Sequence, residues 1–208
     1  MNPGLVLGFA AVSLLLAVTP GPDMAVVTRN ALAHGRRGVV LTTTGIALAL
    51  GVHITASSLG VSAVLRASAA AFTVLRVLGG VYLAYLGVRS WLDSRHVPRP
   101  LDAEPGRAAP SQAIFGQGFI SAVTNPKLLV FFLTFIPQWV DPSKPALPQM
   151  LLLGSVFAAI GWAWMNVYGL LVDRVRAFIT SPRVRQWMER ITGTVLIGIG
   201  GRLLLERV

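Results

Sequence analysis

Two charged residues, Asp23 and Lys127, each follow a proline inside an apolar stretch of the chain. A charge near the centre of a lipid bilayer costs about 2.5 to 3.5 kcal/mol, so such residues are rare and need partners. A carboxylate and an ammonium can also neutralise each other or bind the opposite charges of a small ligand. These two residues are therefore the first candidates for chemistry in this sequence.

The same two stretches carry residues that interrupt helices. Proline lacks a backbone donor and clashes with the preceding turn, so each motif predicts two half-helices in place of one continuous helix. Non-helical backbone at membrane depth is tolerated where protein buries it or where it lines a wet cavity, and matched breaks in two half-sequences indicate a transport site. The predicted substrate-binding residues are Thr19, Pro20, Gly21, Pro22 and Asp23 at the first break and Asn125, Pro126 and Lys127 at the second.

Simpler interpretations of these residues stay open. The prolines could do no more than kink packing helices, with Asp23 capping one of them at a solvated vestibule. His53 lies midway along an apolar segment, and histidine is the side chain that changes charge near neutral pH. Asp23 and His53 are the predicted proton-coupling residues. The competing interpretation of His53, which its apolar neighbours favour, is a buried neutral ring bonded to a backbone carbonyl.

Composition places the chain among integral membrane proteins. Of its 208 residues, 54% are hydrophobic and 12% are charged, and the mean hydropathy is +0.67, which is unsuited to a soluble domain. The net charge of +10 is dispersed between apolar runs and does not form a stripe, so no nucleic-acid partner is expected. With no cysteine and three scattered histidines, we expect no metal and no cofactor.

Six apolar segments predict an all-α integral membrane protein with six transmembrane helices, of which the first and fourth are broken. A charged, proline-rich linker over 93–112 separates a first repeat (1–92) from a second (113–208). Basic loops are predicted between the first two segments (Arg29, His34, Arg36, Arg37) and before the sixth (Arg174, Arg176, Arg183, Arg185, Arg190). The segments cover about 4–27, 38–65, 71–91, 113–137, 149–172 and 191–205.

The two halves resemble each other. Ala-Val-Thr precedes both breaks, and Arg76-x-x-Gly79 matches Arg190-x-x-Gly193. With three spans in each half, the second must be inverted relative to the first, which is the inverted-repeat plan of many secondary transporters. Twelve of the eighteen Lys and Arg residues fall in alternate loops. The positive-inside rule assigns those loops to the cytoplasm and both termini to the periplasm.

The motifs Thr19-Pro20-Gly21-Pro22-Asp23, Gly35-Arg36-Arg37-Gly38 and Asn125-Pro126-Lys127 resemble those of the LysE/RhtB family of bacterial amino-acid exporters. The resemblance covers nearly the whole chain. It implies a secondary active exporter of amino acids or close derivatives across the bacterial inner membrane, driven by protons. Because Asp23 is the one strong acid inside the predicted spans, a neutral amino acid is favoured over a basic one.

Other classes of membrane protein have less support. An integral-membrane enzyme needs acids, bases or metal ligands clustered at one interface, and the sequence has no such cluster, so we expect no enzyme. A channel or a non-transporting scaffold is the other alternative, but two inequivalent half-sites favour alternating access. The expected partners are an amino-acid substrate, protons and the lipid bilayer. Whether the chain acts as a homodimer stays open.

Overall fold

The structure is a computed structural model that describes residues 3–93, 109–141, 143–172 and 181–205. Within these ranges the chain is helical and contains no β-strand. Most of the predicted linker, including 94–108, lies outside them, as do Arg174 and Arg176. The α-helices of the described residues are α1 (Pro3–Val18), α2 (Pro22–Ala67), α3 (Ala69–Asp93), α4 (Ser111–Val123), α5 (Pro126–Val130), α6 (Ala146–Leu170) and α7 (Pro182–Leu205).

The first predicted break is confirmed. Helix α1 ends at Val18 and α2 begins at Pro22, with Gly21 extended at φ −164° and ψ −175°. The basic loop predicted after this break is wrong, because α2 stays helical through Arg29 and His34. No proline interrupts 23–34, and charged residues are compatible with a helix that leaves the lipid, so the helical state persists.

The chain reverses direction at one residue of α2, Gly35. Its φ of 57° and ψ of −144° are open to glycine and not to other residues. Across this turn the Asn30 amide donates to the Thr42 hydroxyl at 2.9 Å, although twelve residues of straight helix would separate them by about 18 Å. Helix α2 is therefore a hairpin with a short arm (22–34) and a long arm (36–67).

The second predicted break is also confirmed. Helix α4 ends at Val123, α5 begins at Pro126, and the axis of α4 is bent by 49° from that of the segment Pro126–Trp139. The chain then loosens into a π-helix at Phe131–Phe135 and tightens into a 3-10 helix at Ile136–Trp139. Pro137 lies inside that last turn and lacks the backbone donor that a regular helix would use there. π-Helical turns often occur at functional sites.

The remaining helices match the sequence prediction except at the start of α7. Helices α3 and α6 begin and end within three residues of the predicted segments. Helix α7 begins at Pro182 and not near 191, so Arg183, Arg185 and Arg190 belong to a helix and not to a loop. Hydropathy marks the part of a helix that lies in lipid, and the charged first turns of α7 are invisible to it.

Close helix approach at glycines fixes the packing of α3 against α7. A Cβ on Gly87 would lie 2.7 Å from the Gly193 carbonyl oxygen, and one on Gly200 would lie 2.6 Å from the Gly80 carbonyl oxygen. Rising positions on α3 thus meet falling positions on α7, so the two helices are antiparallel. Small residues at such crossings let helix backbones approach in lipid.

The long arm of α2 packs in the same antiparallel sense against α6. Gly154 lies against Ile54, and Gly169 lies against Val39. A Cβ added to either glycine would lie less than 3.0 Å from the facing side chain. The long arm also contacts α4, where Gly118 lies against the Thr42 carbonyl. The long arm is therefore held between α6 and α4, the helix that ends at the second break.

Two stretches of the described residues are long and apolar enough to cross a membrane: Pro22–Val64, which includes the long arm of α2, and Ala146–Leu170. The bent pair Ser111–Val123 and Pro126–Trp139 makes a third if it forms one span. Helix α1 has 16 residues and a length of about 24 Å, which is shorter than a hydrocarbon core of about 30 Å. These helices define a multi-pass membrane protein.

Candidate functional site

The first break leaves backbone groups without helical partners on both sides. Pro22 has no N–H, and no side chain of the described residues caps the start of α2. The amides of Asp23 and Met24 therefore lie at the positive end of the helix dipole without a capping side chain. On the other side, the Leu15 carbonyl at the end of α1 accepts both the Thr19 backbone N–H at 3.2 Å and the Thr19 hydroxyl at 2.7 Å.

The second break is capped where the first is open. The side-chain oxygen of Asn125 accepts the backbone N–H of Lys127 at 3.0 Å, which is the usual role of asparagine before a helix. Pro126 fills the first helical position, where a missing N–H costs nothing. Asn125 thus fixes the start of α5 and the position of Lys127.

Asp23 connects the two breaks. Its side chain is 7% exposed, and its two carboxylate oxygens accept from the Ser121 hydroxyl at 2.6 Å and the Asn125 amide at 2.9 Å. Both donors come from the end of α4 and the break that follows it. A buried carboxylate needs such donors, because an unpartnered charge in an apolar interior is strongly destabilised.

Lys127 makes the reciprocal connection. Its ammonium donates to the Leu16 carbonyl of α1 at 3.3 Å, and a Cβ on Gly21 would lie 3.6 Å from its Nζ. Asp23 and Lys127 form no ion pair within 4.0 Å, and the structure describes both residues. Asn125 contacts both residues, because its amide donates to Asp23 and its side-chain oxygen accepts the Lys127 backbone N–H. Each charged side chain therefore binds groups at the other break and not the opposite charge.

A pocket opens between the two breaks, with a volume of about 480 Å³ that includes its open mouth. Five predicted site residues line it, and the prolines Pro20, Pro22 and Pro126 are not among its lining residues. Apolar side chains complete the wall. The lining is Leu16, Ala17, Thr19, Gly21, Asp23, Met24, Ile46, Leu50, Asn125, Lys127, Leu128, Phe157, Gly161 and Met165.

Hydroxyl groups of α6 and α7 hold the first break in place. Thr19 is in hydrogen-bond contact with Thr192 of α7, and because Thr19 already donates to Leu15, Thr192 acts as the donor. Thr28 donates to the Met24 carbonyl at 2.7 Å and accepts from the Tyr168 hydroxyl at 2.6 Å. Residues on both sides of the first break thus form hydrogen bonds with helices of the second half of the chain.

His53 does not line the pocket. Its Nε2 lies 3.1 Å from the Ala122 carbonyl oxygen, and its ring stacks on Phe132 with centroids 5.6 Å apart. This is the geometry of a buried histidine bonded to a backbone carbonyl. The Ala122 carbonyl belongs to the last turn of α4, so His53 supports the second break from the long arm of α2.

Several residues of the site were not predicted from the sequence. Ser121 donates to Asp23 from the last turn of α4, four residues before Asn125, and this spacing could have identified it. Phe157, Gly161 and Met165 of α6 recur every four residues and present one stripe to the pocket. Such a stripe is also typical of ordinary packing, so its role follows only from the tertiary structure.

The apolar helices, two broken helices and a shared pocket with one anion and one cation define a multi-pass membrane transport protein. Sequence comparison agrees, since the LysE type translocator family matches residues 14–207. The chain belongs to this family of transporters, whose members are not enzymes.

Individual relatives resemble the chain over nearly its full length. A homoserine/homoserine lactone efflux protein of Salmonella typhimurium is 28% identical, covering 94% of this chain and 93% of its own. A leucine efflux protein of Enterobacter is 25% identical, with 92% and 90% covered. An uncharacterised membrane protein of Vibrio cholerae is 29% identical, with 93% of each chain covered. No solved structure matches the chain.

Proposed function

We propose that this protein is a secondary active exporter of neutral amino acids across the bacterial inner membrane. The observation that carries the proposal is the pocket between the breaks, which one carboxylate and one ammonium line from opposite halves of the chain. An amino acid at neutral pH bears the same two charges in complementary form. The membrane location, the family and the amino-acid efflux relatives support the same function.

The substrate carboxylate has two binding partners. The open amides at the start of α2 are a natural anion site, because their N–H groups and the helix dipole both favour negative charge. Lys127 lies beside Gly21 at the same break, where its present partner is the neutral Leu16 carbonyl. In the proposed bound state its ammonium leaves that carbonyl for the substrate carboxylate, which is the stronger, charge-assisted partner.

The substrate ammonium lies toward Asp23 and the carboxyl end of α1. Asp23 is the acid of the pocket, and Ala17 is a lining residue in the last turn of α1. Carbonyls at a helix end favour a cation through their dipoles. With both charges of the pocket assigned to the amino-acid backbone, no acid remains in the described lining for a basic side chain, so the substrate is neutral.

Proton coupling is assigned to Asp23, with His53 as the second candidate. A protonated Asp23 would no longer accept from both Ser121 and Asn125, so the link between the breaks would loosen. An alternating-access cycle needs such a change, because the two halves of the chain must move relative to each other around the site. His53 would act from the far side of the second break, through the Ala122 carbonyl.

An inverted repeat with six spans is consistent with the packing. In such a repeat α3 corresponds to α7, and the long arm of α2 corresponds to α6. A two-fold axis in the membrane plane would make each of these pairs antiparallel, as both are. Three spans in each half then put both termini on the same side of the membrane, and the distribution of arginines assigns that side to the periplasm.

Counterflow in proteoliposomes tests the proposed function. Vesicles holding purified protein and a high internal concentration of one unlabelled neutral amino acid should accumulate the labelled form from outside. A panel of leucine, homoserine, alanine and lysine should show accumulation of neutral substrates and little of lysine. Absence of counterflow with every amino acid tested, by protein shown to be folded and inserted, would contradict the proposal.

A further inference from the structure

Part of the pocket is lined by apolar residues, which cannot bind the charged amino and carboxylate groups of a substrate. Five residues form this apolar wall: Ile46 and Leu50 of the long arm of α2, and Phe157, Gly161 and Met165 of α6. Spacings of four residues on each helix place them on one face. Apart from Asp23 and Lys127, the described pocket lining carries no formal charge, so this wall suits an uncharged, apolar group.

Gly161 is the position in the apolar wall without a side chain. A Cβ built there would have Leu50 Cδ1 as its nearest atom, at 4.0 Å, so one methyl group would fit without a clash and would contact Leu50 across the pocket. The two neighbouring glycines of α6 differ. A Cβ on Gly154 would lie 2.8 Å from Ile54, and one on Gly169 would lie 2.7 Å from Val39, so both serve close helix packing.

Gly161 therefore affects the volume of the cavity and does not serve close packing between helices. Any side chain at this position would project into the volume between α6 and Leu50 that the pocket now includes. Met165 and Met24 border the same pocket, and methionine adapts readily to ligands of different shape. The room beside Gly161 is thus the adjustable apolar space of the site.

We infer that Gly161 sets the size of a subsite for the substrate side chain, and that this subsite accepts an uncharged aliphatic group of the size of leucine or methionine. The inference rests on the proposed amino-acid export and adds the side-chain class. It makes Gly161 a specificity residue that binds no charge and takes no part in proton coupling.

Gly161→Ala tests the inference by placing one methyl group in this space. Loss or gain of one methylene in an apolar pocket changes discrimination by about tenfold or more. We expect the export of leucine and of methionine to fall about tenfold relative to the export of alanine by the same variant. Gel filtration of the purified variant, with elution at the wild-type volume, shows that it is folded.

Gly198→Ala provides the matched control. Gly198 is a helical glycine of α7 that lies outside the pocket lining, and a Cβ there would have no atom within 4 Å. It receives the same methyl group in a similar helix, so it reports the effect of helix propensity alone. We expect its ratio of leucine to alanine export to equal that of the wild type.

A compensating double variant separates pocket size from a general defect. Leu50→Val removes one carbon from the side chain that faces Gly161, so Gly161→Ala combined with Leu50→Val approximately conserves the pocket volume. We expect leucine export to recover severalfold relative to Gly161→Ala alone.

The outcomes distinguish this inference from the proposed function. Equal losses of leucine and alanine export in Gly161→Ala, without recovery in the double variant, would overturn the subsite while leaving amino-acid export in place. An unchanged ratio of leucine to alanine export would overturn it in the same way. Wild-type protein that exports none of these amino acids would overturn the proposed function and the subsite together.

Discussion

Asp23 and Lys127 derive their importance from what they bind in the folded protein. Asp23 accepts hydrogen bonds from Ser121 and Asn125, whereas Lys127 donates to the Leu16 carbonyl. Each charge therefore lies at one break and contacts the other. A cap that faced a solvated vestibule would be exposed, and Asp23 is buried. The local contacts support a role in the site beyond helix capping.

Replacing Asp23 with asparagine removes the charge and keeps the size of the side chain. The neutral side chain is also cheaper to insert into a membrane. We expect Asp23→Asn to abolish export in the counterflow assay while the amount of protein in the membrane fraction stays at the wild-type level. Full export by a well-expressed Asp23→Asn variant would show that the charge of Asp23 is not needed and that this residue only holds the two breaks together.

Among single residues, the sequence predicted the two charged residues that line the pocket but not most of its apolar lining residues. Proline-flanked charges in apolar segments are unusual enough to be recognised without a structure. Leu50 and Met165 look like any other buried apolar residues, and only the crossing of α2 with α6 brings them to the site. His53 was correctly placed in an apolar environment, but the Ala122 carbonyl as its partner required the fold.

Among the elements, the hairpin of α2 depends most on a single residue. Gly35 adopts φ 57° and ψ −144°, a region in which a side chain costs about 1 to 3 kcal/mol. We expect Gly35→Ala to lower the unfolding free energy of the detergent-purified protein by that amount, measured as a lower thermal midpoint. The added methyl group itself meets no atom within 4 Å, so backbone conformation is the cause.

Gly60→Ala is the control for the hairpin prediction. Gly60 lies in the long arm of the same helix, and a Cβ there also meets no atom within 4 Å. Alanine favours a helix over glycine by about 1 kcal/mol, so the thermal midpoint of this variant should be unchanged or higher. Equal midpoints for Gly35→Ala and wild type would show that the turn tolerates a side chain.

Both helix breaks could be predicted because their cause is local. A proline removes a donor and blocks the preceding turn wherever it stands, so the sequence alone predicts the interruption. The reversal at Gly35 and the early start of α7 have a different origin. Hydropathy records which residues enter lipid, and it carries no information about helices that extend beyond the membrane or about a turn made by one glycine.

For the whole molecule, the arrangement of the halves leads to a prediction about topology. In the proposed inverted repeat, three spans in each half and a cytoplasmic position of the arginine-rich segments between spans would leave both termini in the periplasm. A reporter that is active only in the cytoplasm should give no signal when fused to the carboxyl terminus, and a reporter active only in the periplasm should give a strong one. The opposite pair of signals would overturn the six-span topology.

The central claim is that the two breaks form one site that reads both charges of an amino acid. Calorimetry on purified protein tests it directly, by comparing leucine with isoamylamine, its decarboxylated amine, in wild type and in Lys127→Ala. Loss of a charge-assisted hydrogen bond should weaken leucine binding by about 1.5 to 3 kcal/mol and leave binding of the amine nearly unchanged. Equal losses for both ligands would contradict the claim, because Lys127 would then stabilise the protein without binding the carboxylate.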